Sequence, residues 1–74
     1  VSYQILKSGP VNLKIYNISG QLVKTLVNFD QPSGRHQTQW NGRDGSGNKI
    51  SSGLYFIKLE AGGRTITRTL QYIK

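Results

Sequence analysis

The sequence predicts an all-β fold, a small two-sheet sandwich of six to seven mostly antiparallel strands. Three observations carry the prediction. Apolar and polar residues alternate with a period of two through most segments. β-Branched and aromatic residues dominate those segments. Gly, Pro, Asn and Asp interrupt them roughly every 8 to 12 residues. Helical periodicity runs over no useful length.

Val1, Tyr3 and Ile5 alternate with Ser2 and Gln4 in a first half-buried strand, and Ser8-Gly9-Pro10 ends it. Val11, Leu13 and Ile15 alternate with Asn12, Lys14 and Tyr16 in a second strand. The turn Asn17-Ile18-Ser19-Gly20 follows, with Gly20 supplying a positive φ. These two strands are expected to neighbour each other in an antiparallel meander. Residues 21–27 depart from strict alternation because Leu22-Val23 and Leu26-Val27 are apolar pairs; a β-bulge or burial on both faces accounts for that. Residues 28–34, with Asp30, Pro32 and Gly34, read as a loop.

His36, Thr38 and Trp40 share one face of a fourth strand whose inward end is the tryptophan, and Gln37 and Gln39 take the other face. The glycine-rich run that follows places Gly42, Gly45, Gly47 and Gly53 among Asn, Asp and Ser, as in a structured loop whose glycines adopt φ values closed to other residues. A fifth strand covers residues 54–60, Ala61-Gly62-Gly63 makes a tight turn, and a last strand covers 64–73. Ile66, Leu70 and Tyr72 face one side of that last strand, Thr65, Thr67, Thr69 and Gln71 the other, and Arg68 interrupts the apolar side. The expected core is Val11, Leu13, Ile15, Trp40, Tyr55, Ile57 and Leu59.

A chain of 74 residues buries roughly 60% of the surface it exposes when unfolded. At the usual stability per residue, that amounts to about 4 to 11 kcal/mol in all. Cysteine is absent, so disulfides and thiolate metal sites contribute nothing. Ten Lys and Arg against three Asp and Glu give a net charge of +7, a balance suited to an anionic partner. The cations are scattered singly without a nucleic-acid motif, however, so a solvated basic surface is expected and nucleic acid is not. No apolar run reaches the length of a membrane-spanning helix. Starting at Val1 inside a strand, the chain reads as a piece of a longer protein, and as a monomer.

The inventory for catalysis is Asp30, Asp44, Glu60 and His36, and no enzyme or cofactor is expected from it. Gly45-Ser46-Gly47 lacks the nucleophile-elbow pattern and does not lead into a helix. Asn41, Asp44, Ser46 and Asn48 put oxygens at spacings that suit calcium, with Asp44, Ser46 and Asn48 the candidate ligands. Only one of them is a carboxylate, and the same residues equally close Asx turns on their own backbone. Tyr16 and Phe56, each on the polar side of its alternation, are candidates for sugar stacking or for packing at a sheet edge.

Several runs follow one another in order: Val11-Asn12-Leu13-Lys14-Ile15-Tyr16-Asn17-Ile18-Ser19-Gly20-Gln21-Leu22-Val23-Lys24-Thr25-Leu26, then Ser33-Gly34-Arg35-His36, Trp40-Asn41-Gly42-Arg43-Asp44, Ser52-Gly53-Leu54-Tyr55-Phe56 and the closing Tyr72-Ile73-Lys74. Together they resemble the C-terminal sorting domain (type A) of type IX secretion substrates, which is related to the FlgD-type Ig-like domain of the flagellar hook cap. The resemblance implies a small immunoglobulin-like β-sandwich that is the non-catalytic C-terminal module of an exported bacterial protein. Its implied partners are an upstream cargo domain of the same chain and the outer-membrane secretion machinery, and its implied location is secreted or at the cell surface. Recognition is expected on Thr69, Leu70, Gln71, Tyr72, Ile73 and Lys74. The hook-cap relationship implies an alternative, a structural spacer or assembly domain, and an accessory carbohydrate-binding domain is a third possibility. Asn41 and Asn17 stand where that family usually has Asp, and Gln71 interrupts a final strand that is usually more apolar.

Overall fold

The alternating segments form six strands: β1 (Ser2–Ile5), β2 (Gly9–Asn17), β3 (Leu22–Gln31), β4 (Gly34–Gln37), β5 (Gly53–Ala61) and β6 (Arg64–Tyr72). They are described by a computed structural model covering residues 1–73, among which there is no helix. Every strand pairing is antiparallel. One sheet has the order β3-β2-β5-β6, and the second consists of β1 and β4 alone.

β2 and β5 lie at the centre of the larger sheet, and their register decides what is inside. Leu13 sits opposite Leu59, Ile15 opposite Ile57 and Val11 opposite Ala61, so the apolar alternation of both strands meets on one face. Val11, Leu13 and Ile15 are completely buried there, and Tyr55 and Leu59 nearly so, with Ile57 half-buried between them. Lys14 opposite Lys58 and Tyr16 opposite Phe56 fall on the other face.

The two apolar pairs of β3 are bulges. Opposite β2 the register slips between Leu13 and Lys14, where it skips Leu26, and again between Ile15 and Tyr16, where it skips Val23. An extra residue at each point lets consecutive side chains approach the same core, so buried Val27 and half-buried Leu26 and Val23 all contact it.

Three expectations need correction. β1 pairs with β4, not with β2, because both edges of β2 are taken by β3 and β5; residues 6–8 carry the chain between sheets, and Ile5 comes down onto Val11, Leu13, Val27 and Leu59. Residues 28–31, read as loop, continue β3 against Gly9–Asn12 of β2. β3 is an edge strand with Asn28, Phe29 and Asp30 exposed, so main-chain pairing holds them without an apolar alternation. β4 ends at Gln37, where its pairing with β1 ends, and Trp40 lies beyond it. The face assignment outlasts the strand, since His36, Thr38 and Trp40 are half-buried and Gln37 and Gln39 exposed.

The inner face of the large sheet is covered in two parts. β1 lies over Val11, Leu13, Val27 and Leu59, while Trp40 and Ile50, from the excursion between β4 and β5, lie over Ile15 and Tyr55. Leu26 and Ile57 touch both clusters. Along the first half of β6 the cover is missing. Arg64, Ile66 and Arg68 face inward by register, opposite Ala61, Leu59 and Ile57, yet all three are exposed. An open cleft runs there between β6 and β1.

Because Ile15 is 0% exposed, Ile15→Ala should cost about 2–5 kcal/mol, a large share of the whole. Exposed Gln39→Ala should stay within about 0.5 kcal/mol of the parent. Urea midpoints for the two variants check this, and equal midpoints would contradict the assigned core.

Candidate functional site

Trp40 is a lid on the lower core. Its ring meets Tyr55 edge-on at a centroid distance of 5.7 Å and leans on Tyr72 at 5.4 Å, while Nε1–H donates to the Arg43 carbonyl at 3.0 Å. The Tyr55 hydroxyl donates to the Ser51 carbonyl at 2.7 Å, tying β5 to the end of the same excursion. Gly42 is buried beneath Tyr72, with φ 72°, and a Cβ there would fall on the phenol of that tyrosine. Trp40 is thus half-buried, not an inward strand residue, because its ring must leave an N–H within reach of the chain. Three buried hydrophobic side chains escape the expected core: Ile5, Val27 and Ile50. Each carries a signal, since Ile5 closes an alternating strand, Val27 belongs to an apolar pair, and Ile50 is the apolar residue of an otherwise polar loop.

The loop itself repeats a turn used earlier in the chain. In residues 17–21, Asn17 Oδ1 accepts from the N–H groups of Ser19 and Gln21, both at 3.0 Å, and the Asn17 carbonyl accepts from Gly20. In residues 44–48, Asp44 Oδ1 accepts from Ser46 at 2.9 Å and Asn48 at 3.0 Å, and the Asp44 carbonyl accepts from Gly47. Gly20 and Gly47 occupy the same position with φ 84° and 87°. An Asx acceptor, a serine two residues on and a glycine three residues on therefore encode one structure twice. Gly45 departs from expectation. It has no positive φ; its N–H donates to the carbonyl of the bulged Val23 at 2.9 Å, pinning the loop to β3. Gly53 opens β5 with φ 156°, a backbone conformation that side-chain-bearing residues rarely adopt, as expected of it.

This geometry bears directly on the calcium candidates. Ser46 and Asn48 turn main-chain N–H groups toward Asp44 Oδ1, and the Asn48 carbonyl accepts from Asp44 N–H at 2.8 Å. Asn41 Oδ1 likewise accepts from Arg43 N–H at 3.1 Å, and the Arg43 guanidinium donates to the Gly47 carbonyl at 2.8 Å, placing a positive charge in the same loop. Removing one such side-chain acceptor from backbone N–H groups costs about 0.5–2 kcal/mol at helix caps. Asp44→Ala should lose a similar amount and Asp44→Asn much less, and millimolar calcium should leave the parent's melting temperature unchanged. A calcium-dependent rise in melting temperature would show the loop to be a metal site.

The remaining polar chemistry is dispersed. His36 Nε2 lies 2.7 Å from the Pro32 carbonyl, and the ring stacks on Tyr3 at 5.6 Å. Glu60 pairs with Lys58 at 3.5 Å. Among the described residues no three of His, Cys, Asp and Glu come together as metal ligands do. What the surface offers instead is shape and main chain. Tyr16 and Phe56 are side by side on the outer face of the large sheet, next to Leu22 and Leu54, which are 53% and 51% exposed. β6 is an edge strand, paired among the described residues with β5 alone. Leu70 and Tyr72 turn inward onto the Ile15 and Tyr55 cluster, Thr69 and Gln71 face solvent, and Ile73 is 74% exposed. Lys74 lies outside the described residues.

The family model of the FlgD Ig-like domain matches residues 6–64, from just after β1 to the first residue of β6. Searches of curated proteins and of solved structures return no significant match. The matched domain is of a structural, non-catalytic type, and its Ig-like sandwich agrees with the two antiparallel sheets found here. With the match spanning most of its length, the chain belongs to the FlgD Ig-like domain family.

Proposed function

We propose that this domain is a non-catalytic C-terminal sorting module, which takes an exported bacterial protein through type IX secretion to the cell surface. One observation carries the reading: the end of β6 is anchored and open at once. Leu70 and Tyr72 hold it to the core, while the strand's outer edge, Thr69, Gln71 and Ile73 stay accessible. A free strand edge with alternate side chains pointing outward is a surface that another protein reads by main-chain pairing. The partners are the outer-membrane secretion machinery and a cargo domain preceding this module in the same chain. The module itself needs no cofactor.

Deleting residues 69–74 would also remove Leu70 and Tyr72, so a cleaner test changes only the accessible positions. A reporter ending in this domain, with Gln71→Lys and Ile73→Lys, should keep its melting temperature while its export from a type IX host falls by about tenfold or more, since lysine on an edge strand opposes strand addition. Undiminished export would sink the reading.

A second reading, an assembly domain like that of a hook cap, is favoured by the apolar row Leu22, Tyr16, Phe56 and Leu54 on the outer face and by the family match. In that case subunit packing depends on the row, and Phe56→Lys would abolish assembly while the β6 changes would not.

A further inference from the structure

We propose that the cleft between β1 and β6 is a docking site for an extended acidic segment of a partner protein. The segment adds a strand to the free edge of β1 and lays an apolar side chain on Ile66. The inference stands on the cleft alone and does not depend on the sorting reading, which concerns the opposite end of β6.

The second sheet is incomplete. Among the described residues β1 pairs with β4 on one side only, and two adjoining clefts of about 280 and 330 Å³ are lined by residues of β1 and by no residue of β4. The unpaired edge of β1 therefore borders the opening. Across it lies the inner face of β5 and β6, with Ile57, Leu59 and Ile66 as floor. Ile66 is 45% exposed although its register places it opposite buried Leu59. A third strand beside β1 would lie over this floor, since stacked sheets sit about 10 Å apart.

The charges say what kind of strand fits. On the inward side of β6, Arg64 and Arg68 flank Ile66 at two-residue spacing, and Lys7 lines the same opening. No Asp or Glu is among the residues lining either cleft, and neither arginine is in an ion pair among the described residues. A strand running along β6 presents alternate side chains to this row, so the matching pattern is acidic, any, apolar, any, acidic. Each carboxylate would meet a guanidinium, and the apolar residue would meet Ile66. The spacing from Arg64 to Arg68 corresponds to about 13 Å of strand. A second copy of this chain fits poorly, because two molecules of charge +7 repel and bring further cations to the same place.

The test is an NMR titration of the isotope-labelled 74-residue chain with an acetylated peptide of about eight threonine, valine and glutamate residues, built on the glutamate-threonine-valine-threonine-glutamate pattern. Amide shifts should change along β1 and residues 64–68 and saturate. Affinity should fall by about tenfold or more when lysine replaces glutamate in the peptide, or with Arg64→Ser plus Arg68→Ser in the protein. Because both arginines are exposed, that double variant should melt like the parent. Absence of saturable shifts, shifts elsewhere, or equal binding by the lysine peptide or the double variant would overturn the proposal. So would a dimer in light scattering that protects the cleft amides, which would make a second copy the occupant. A longer form of the chain whose own flanking residues already fill the cleft would overturn it too. Aggregation of the double variant without peptide binding would assign the arginines to guarding an edge, again against the proposal.

Discussion

The inner face of β2 and β5 has to be covered, and the chain has little with which to cover it. Val11, Leu13 and Ile15 meet Ile57, Leu59 and Ala61 across the central pair of strands, and this apolar strip is the main driving force available to a domain of this size. The opposing sheet has only two short strands. Much of the remaining architecture answers that shortage. β3 bulges twice so that Val23, Leu26 and Val27 can all lean on the strip, and the excursion between β4 and β5 folds back to place Trp40 and Ile50 over its lower half.

The polar loop is therefore part of the core's construction. Asp44 closes its tip through two N–H groups, Gly45 ties it to β3, and Tyr55 ties its end to β5. These bonds shape the excursion that sets Trp40 against Tyr55 and Tyr72. Since Tyr72 belongs to the last strand, the loop also anchors the end of β6 and leaves its outer edge free. A link thus runs from the Asx and glycine pattern of the loop, through aromatic packing, to the strand on which recognition is proposed.

Where the cover gives out, the molecule exposes an interior surface. The uncovered part of the sheet carries exposed arginines on its inward side, which give it a charge preference. With acids and the histidine dispersed, the features available to a partner are strand edges, the basic cleft and the outer row of Tyr16 and Phe56. Such a surface suits the structural, non-catalytic character of the FlgD Ig-like domain.

Much of this was legible in the sequence, because local chemistry controls it. Alternation with period two assigns each strand residue to a face, so the inward sides of β2, β5 and β6 could be read directly, as could both apolar pairs of β3 and the turn at Gly20. Alternation says nothing about which strand lies beside which. The pairing of β1 with β4, the extension of β3 through residues 28–31 and the position of Trp40 beyond β4 depend on edges being occupied or free, which is a property of the assembled sheets. Arg68 shows the difference most clearly. As a break in an apolar face it was visible in the chain, but only the tertiary structure, which leaves an opening between it and β1, made it the wall of a cleft.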